Sequence, residues 1–69
     1  SWPVWAKEIS RFDRTYSGEE HCYILEGAFN IETDEGTFSV KPGDYVIFKD
    51  GLKCVWDIKK PVKKHYNFY

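Results

Sequence analysis

The stretch GEEHCYILEG, residues 18–27, sets Glu20, His21 and Cys22 side by side at the mouth of an apolar run. Carboxylate, imidazole and thiolate are the donors that hold transition metals, and a cysteine beside a base can also act as a nucleophile. Neighbours along a strand point to opposite faces, however, so Glu20 and Cys22 share one side while His21 faces the other. Nothing adjacent completes a ligand set. The second cysteine, Cys54, opens an alternating segment in which Cys54, Trp56 and Ile58 share a face. The second histidine, His65, has the parity opposite to Tyr66 and Phe68 and reads as a partly exposed surface residue.

The elements that must position these side chains are strands. Turn signals recur as SGEE (17–20), TDEG (33–36), KPGD (41–44), KDG (49–51) and KKP (59–61). Spacing of roughly 8 to 12 residues between such signals marks an all-β sandwich or barrel. Period-two alternation between them predicts eight short strands, at about 4–10, 11–16, 20–26, 28–33, 37–40, 45–49, 52–58 and 62–69. Gly36 takes the positive-φ position of a hairpin, Pro42 and Gly43 fill the second and third positions of a turn, and Pro61 belongs at a strand start or edge. The segments CYIL (22–25) and YVIF (45–48) are apolar on both faces. Their second face must be covered by Trp2 and Trp5 or by another subunit, which predicts a homodimer.

Composition narrows the function classes. A chain of 69 residues makes one domain, placed here at 1–69, and its thirteen aromatic residues must carry the core. A net charge of −1 gives no overall pull toward nucleic acid or an anionic membrane. Residues 1–40 carry eight acids and three bases and residues 41–69 three acids and seven bases, a split that predicts cross-strand charge pairs. Two cysteines make no disulfide framework, and there is no signal-peptide pattern or long apolar run, so the expected location is cytoplasmic, with no membrane partner.

Two stretches resemble cupin motifs. EHCYILEG, with Glu20 and Gly27 separated by six residues, is similar to the second half of the first cupin motif, G-x5-H-x-H-x3–4-E-x6-G. GDYVIFKDGLKCVWDI is similar to the second, G-x5-P-x-G-x2-H-x3-N, through Gly43 and Gly51. The wording WPVWAKEISRFD, KPGDYVIF and KPVKKHYNF more narrowly resembles the small single-domain cupins related to ureidoglycine aminohydrolase, many without an assigned function. The resemblance implies an all-β, closed cupin jelly-roll β-barrel. It also implies a divalent metal site of three histidines and a glutamate, whose positions fall on Arg14, Tyr16, Glu20 and Cys54. Only the glutamate is kept, and arginine cannot be deprotonated to bind a cation. Lys49 and Ile58 stand where the second motif has its proline and asparagine. No metal and no cofactor are therefore assigned.

In the register that the resemblance implies, Arg14, Tyr16, Glu20, Cys22, Cys54 and Trp56 face the barrel interior. A buried glutamate needs a partner, and Arg14 is the natural one. The expected site is a small-molecule pocket with Arg14, Tyr16, Glu20 and Cys54 at its polar end and Trp56 at its apolar end, suited to an anionic ligand. Whether any reaction occurs is left open by these residues. Two other readings compete: an aromatic-rich barrel that stacks single-stranded nucleic acid, which the acidic first half and inward aromatics disfavour, and a non-catalytic protein-interaction module.

Overall fold

The computed structural model describes residues 2–69, and every element among them is a strand. The order is β1 (Val4–Lys7), β2 (Ser10–Thr15), β3 (Glu20–Thr33), β4 (Gly36–Val40), β5 (Tyr45–Phe48) and β6 (Lys53–Phe68). All pairings are antiparallel. The all-β expectation holds, but the eight short strands become six. The expected strands 20–26 and 28–33 are one strand, as are 52–58 and 62–69, because the chain bends at Gly27 and Pro61 without leaving the ladder.

β3 and β6 form one long ribbon, paired from Glu20↔Phe68 to Glu32↔Val55, with register shifts between Ile24 and Phe29. Bulges of this kind sharpen twist and let a ribbon fold over. Gly27 sits at the fold with φ of 100°, and a Cβ there would lie 2.4 Å from the Pro61 carbonyl oxygen and 2.8 Å from Val62 Cα. Only glycine permits both the left-handed conformation and the close approach. The ribbon thus divides into two arms. In the first, β1 flanks β6 and β5 flanks β3; in the second, β2 flanks β6 and β4 flanks β3. No ladder joins β1 to β5 or β2 to β4 among the described residues, so the closed barrel expected from sequence is an open jelly roll instead.

The bulges also reset the parity of β3. Glu20, Cys22 and Ile24 are buried before the bend and Phe29 and Ile31 after it, while Cys54, Trp56, Ile58, Val62 and Lys64 keep even numbers along β6. Trp56 stacks on Phe29 with centroids 4.4 Å apart, and Tyr16 stacks on Phe48 at 4.6 Å. Such pairs add about 0.5–1.5 kcal/mol each beyond the area they bury. Trp5 packs inward, edge-on to Trp56 at 5.6 Å, and so does not cover the outer face as expected. Trp2 does lie outside, beside Tyr45 and Tyr69. The charge asymmetry resolves into pairs between the halves of the chain, among them Lys49 with Glu19, Lys63 with Glu26 and Lys64 with Glu20.

Candidate functional site

Between the arms lies a cavity of about 200 Å³, walled by Trp5, Phe12, Trp56, Tyr66 and Phe68 and carrying Arg14, Glu20 and Lys64 as its charged groups. Three strands supply those charges. β3 starts at Glu20 with its even residues inward, β2 presents Arg14 from across the Arg14↔Cys54 pairing, and β6 brings Lys64 opposite Ile24.

Glu20 is the centre of the arrangement. Its Oε1 accepts a hydrogen bond from Arg14 Nη2 at 3.1 Å. Its Oε2 accepts one from Lys64 Nζ at 2.6 Å and one from Cys22 Sγ at 2.9 Å. Burial alone would raise the pKa of this carboxyl. The hydrogen bonds from Cys22 and Lys64, with the charges of Lys64 and Arg14, outweigh burial and hold it below its ordinary range. A buried carboxylate bonded on both oxygens is thereby kept ionised.

Lys64 is equally enclosed, with its side chain 5% exposed. Its ammonium lies 4.7 Å from the Trp5 ring centroid, 4.8 Å from that of Trp56, and about 6 Å from those of Tyr66 and Phe48. It also donates to Cys22 Sγ at 3.4 Å. Arg14 differs, since its side chain is 40% exposed and its guanidinium stacks over Tyr16 at 4.6 Å. Burial lowers the pKa of Arg14, but the charge and hydrogen bonding of Tyr16 and Glu20 leave it raised.

The residues expected at the site divide accordingly. Arg14, Glu20 and Trp56 meet in the cavity, and the expected Arg14–Glu20 pair is present. Tyr16 lies behind it, accepting a hydrogen bond from Trp56 Nε1 at 3.1 Å, and burial pushes its phenol pKa well up. Cys54 is buried but does not line the cavity; with Asp13, Arg14 and Thr15 it borders a separate, more open depression. His21 faces out as expected, bonded through Nε2 to Glu19 and through Nδ1 to the Tyr45 hydroxyl. His65 is half-buried and meets the carbonyl of Trp2.

Sequence reasoning left Lys64 among the seven bases of residues 41–69 without giving it an inward position. The signal was present, because Lys64 shares its parity with Val62 and Tyr66, and one of the adjacent pair Lys63 and Lys64 had to face inward.

The donors do not suit the divalent metal that the resemblance implies. The one retained ligand, Glu20, is already bonded to an ammonium and a guanidinium, which would repel a dication. No three His, Cys, Asp or Glu side chains converge to hold an ion among the described residues.

The folded antiparallel ribbon with its inward Glu20 defines a small cupin-type jelly roll with one lysine enclosed in its largely apolar interior. The chain matches the EutQ-like cupin domain over residues 1–66 and belongs to that family. Among solved structures it is similar to a DUF861 family protein from Thermotoga maritima, at 46% identity and a TM-score of 0.95, covering 99% of this chain and 78% of that one. The EutQ protein of Clostridium difficile shares the fold at 21% identity and a TM-score of 0.86, with 96% of this chain and 52% of that one covered. A putative ethanolamine utilization protein Q from Salmonella typhimurium does so at 21% identity and a TM-score of 0.81, over 91% of this chain and 51% of that one. The chain spans about half the length of these two EutQ proteins. No curated protein matches it significantly.

Proposed function

We propose that this cupin domain binds a small organic anion in the cavity between its arms. The observation that carries the reading is the partly exposed guanidinium of Arg14 in a mostly aromatic cavity where two cations face one carboxylate. That imbalance leaves a net positive site, and an exposed guanidinium keeps donors in the geometry that carboxylates and phosphates accept. A wider groove of about 590 Å³ runs along β4 and β5, but its rim carries Asp34, Glu35 and Asp44 and does not suit an anion.

The role is one of binding. Burial pushes the Cys22 thiol up to about 12 and raises that of Cys54, so both stay protonated at neutral pH and neither serves as a nucleophile. The small-molecule reading is favoured over nucleic-acid stacking because Tyr16, Phe29, Phe48 and Trp56 are spent in buried stacks.

The test is a thermal-shift and NMR titration against small carboxylates and phosphates, with neutral sugars as controls. Anions should bind, and Arg14→Leu should weaken them by about tenfold to a hundredfold, the worth of a charged hydrogen bond. Equal binding of neutral compounds, or no effect of Arg14→Leu, overturns the reading.

We also propose that a second copy covers the outer face of the first arm, where Tyr23, Tyr45 and Ile47 are more than two-fifths exposed. Sedimentation at micromolar concentration should show a dimer that Ile47→Asp dissociates. A wild-type monomer would remove this part.

A further inference from the structure

Lys64 demands an explanation that an ordinary ion pair does not supply. An exposed lysine would give Glu20 a countercharge at little desolvation cost, yet this one is buried to 5% exposure and surrounded on several sides by rings. Its ammonium has one short bond to a carboxylate, a weak one to a thiol, and the faces of Trp5 and Trp56 at 4.7 and 4.8 Å. A carboxylate joined to two or more aromatic faces within about 6 Å is the chemistry by which proteins recognise free ammonium ligands. No buried side-chain nitrogen or oxygen lacks a partner among the described residues, so the enclosure is complete with the ammonium in it.

We propose that the inner end of the cavity is a recognition site for a primary ammonium whose resident occupant is Lys64. Bonded to Glu20, the one metal-ligand position that the resemblance retains, this fixed cation supplies the positive charge toward which an anionic ligand is drawn. That last role rests on the proposed anion binding; the ammonium cage itself does not.

The site has definable selectivity. It offers one carboxylate oxygen at 2.6 Å, so the occupant must carry N–H donors. A quaternary ammonium has none. Methyl groups on the nitrogen would hold it well beyond that distance from the carboxylate oxygen, so small primary amines fit and tetramethylammonium does not.

The experiment is to empty the cage and refill it. Lys64→Ala removes the ammonium and its stem, and ammonium, methylammonium or ethylammonium chloride is then added. The melting temperature of the variant should rise saturably, by roughly 6–11 °C at ten times the dissociation constant. The wild-type protein and Lys64→Met, whose stem still fills the space, should not respond. Tetramethylammonium and sodium chloride should fail on all three proteins. If Lys64→Ala does not fold alone, recovery of folded protein in refolding with methylammonium is the same readout. Wild-type protein gives an independent check, since the Lys64 ammonium should appear in nitrogen-15 NMR as a slowly exchanging signal that Glu20→Gln perturbs.

Absence of rescue together with a fast-exchanging wild-type ammonium overturns the cage. Rescue by amines while wild-type protein binds no organic acid retains the cage and removes the anion reading. Acid binding that is the same in wild-type and Lys64→Ala protein, without rescue, removes the cage and keeps the other.

Discussion

Truncating Glu20 or Lys64 singly should be far more damaging than replacing both. In Glu20→Leu the Lys64 ammonium stays buried with only the Cys22 thiol and ring faces near it, and an uncompensated buried charge of this kind costs about 3–5 kcal/mol. In Lys64→Met the carboxylate keeps Arg14 at 3.1 Å and Cys22, but Arg14 is 40% exposed and compensates less than a buried partner, so the cost falls near the bottom of the range, about 3 kcal/mol. A domain of 69 residues has about 3–10 kcal/mol in total, so either variant loses from about a third to all of its stability at 25 °C. The double variant Glu20→Leu, Lys64→Met buries no unpaired charge at these positions and leaves Arg14 free to hydrate. It should return to within about 1 kcal/mol of wild type, giving a coupling energy of several kcal/mol. Urea unfolding followed by tryptophan fluorescence and circular dichroism measures all four proteins. Near-neutral single variants, or a double variant as unstable as the sum of the singles, would refute the argument that this is a desolvated, mutually dependent pair.

Acid should act through the same carboxyl: the folded-state pKa of Glu20 is lowered, so its contribution is present above about pH 4.3, the ordinary carboxylate value, and is lost as pH falls through the folded value. Glu20→Gln should therefore flatten the stability profile below that pH, and an unchanged slope would count against it. Gly27→Ala should combine about 1–3 kcal/mol of backbone strain with about 1–3 kcal/mol of overpacking against Pro61 and Val62, whereas Gly43→Ala, at φ of 91° with nothing within 4 Å, should show the strain alone. Equal melting temperatures for the two glycine variants would contradict the close approach described at the bend. Finally, Cys22 and Cys54 should resist a thiol reagent at pH 8 in folded protein and react fully in urea, because burial raises both thiols; rapid labelling of either in the native state would show the interior to be open.

Much of the architecture was legible in the chain. Alternation around Phe29, Phe38 and Trp56 announced strands, and TDEG and KPGD mark turns where Gly36 and Gly43 have positive φ. Strand count was not, because glycine and proline usually end an element. Here Gly27 and Pro61 lie opposite each other across one ribbon and bend it without breaking the ladder, a fact that depends on a contact between residues 34 positions apart. At the site, parity placed Glu20 inward and His21 outward, and the cupin register put Arg14 within reach of Glu20. Lys64 escaped notice because lysine ordinarily belongs to the surface, and that expectation outweighed the parity it shares with Val62 and Tyr66. Cys54 shares its face with Trp56, but two residues along a strand separate it from the cavity.

The bend at Gly27 has one more consequence. Glu20, Lys64 and Trp5 belong to one arm of the folded ribbon, and Arg14, Phe12 and Trp56 to the other, so the cavity is a seam. Whatever bridges Arg14 to Lys64 also latches the two arms together. A compound that settled there would therefore raise the molecule's resistance to unfolding by holding the two arms against each other.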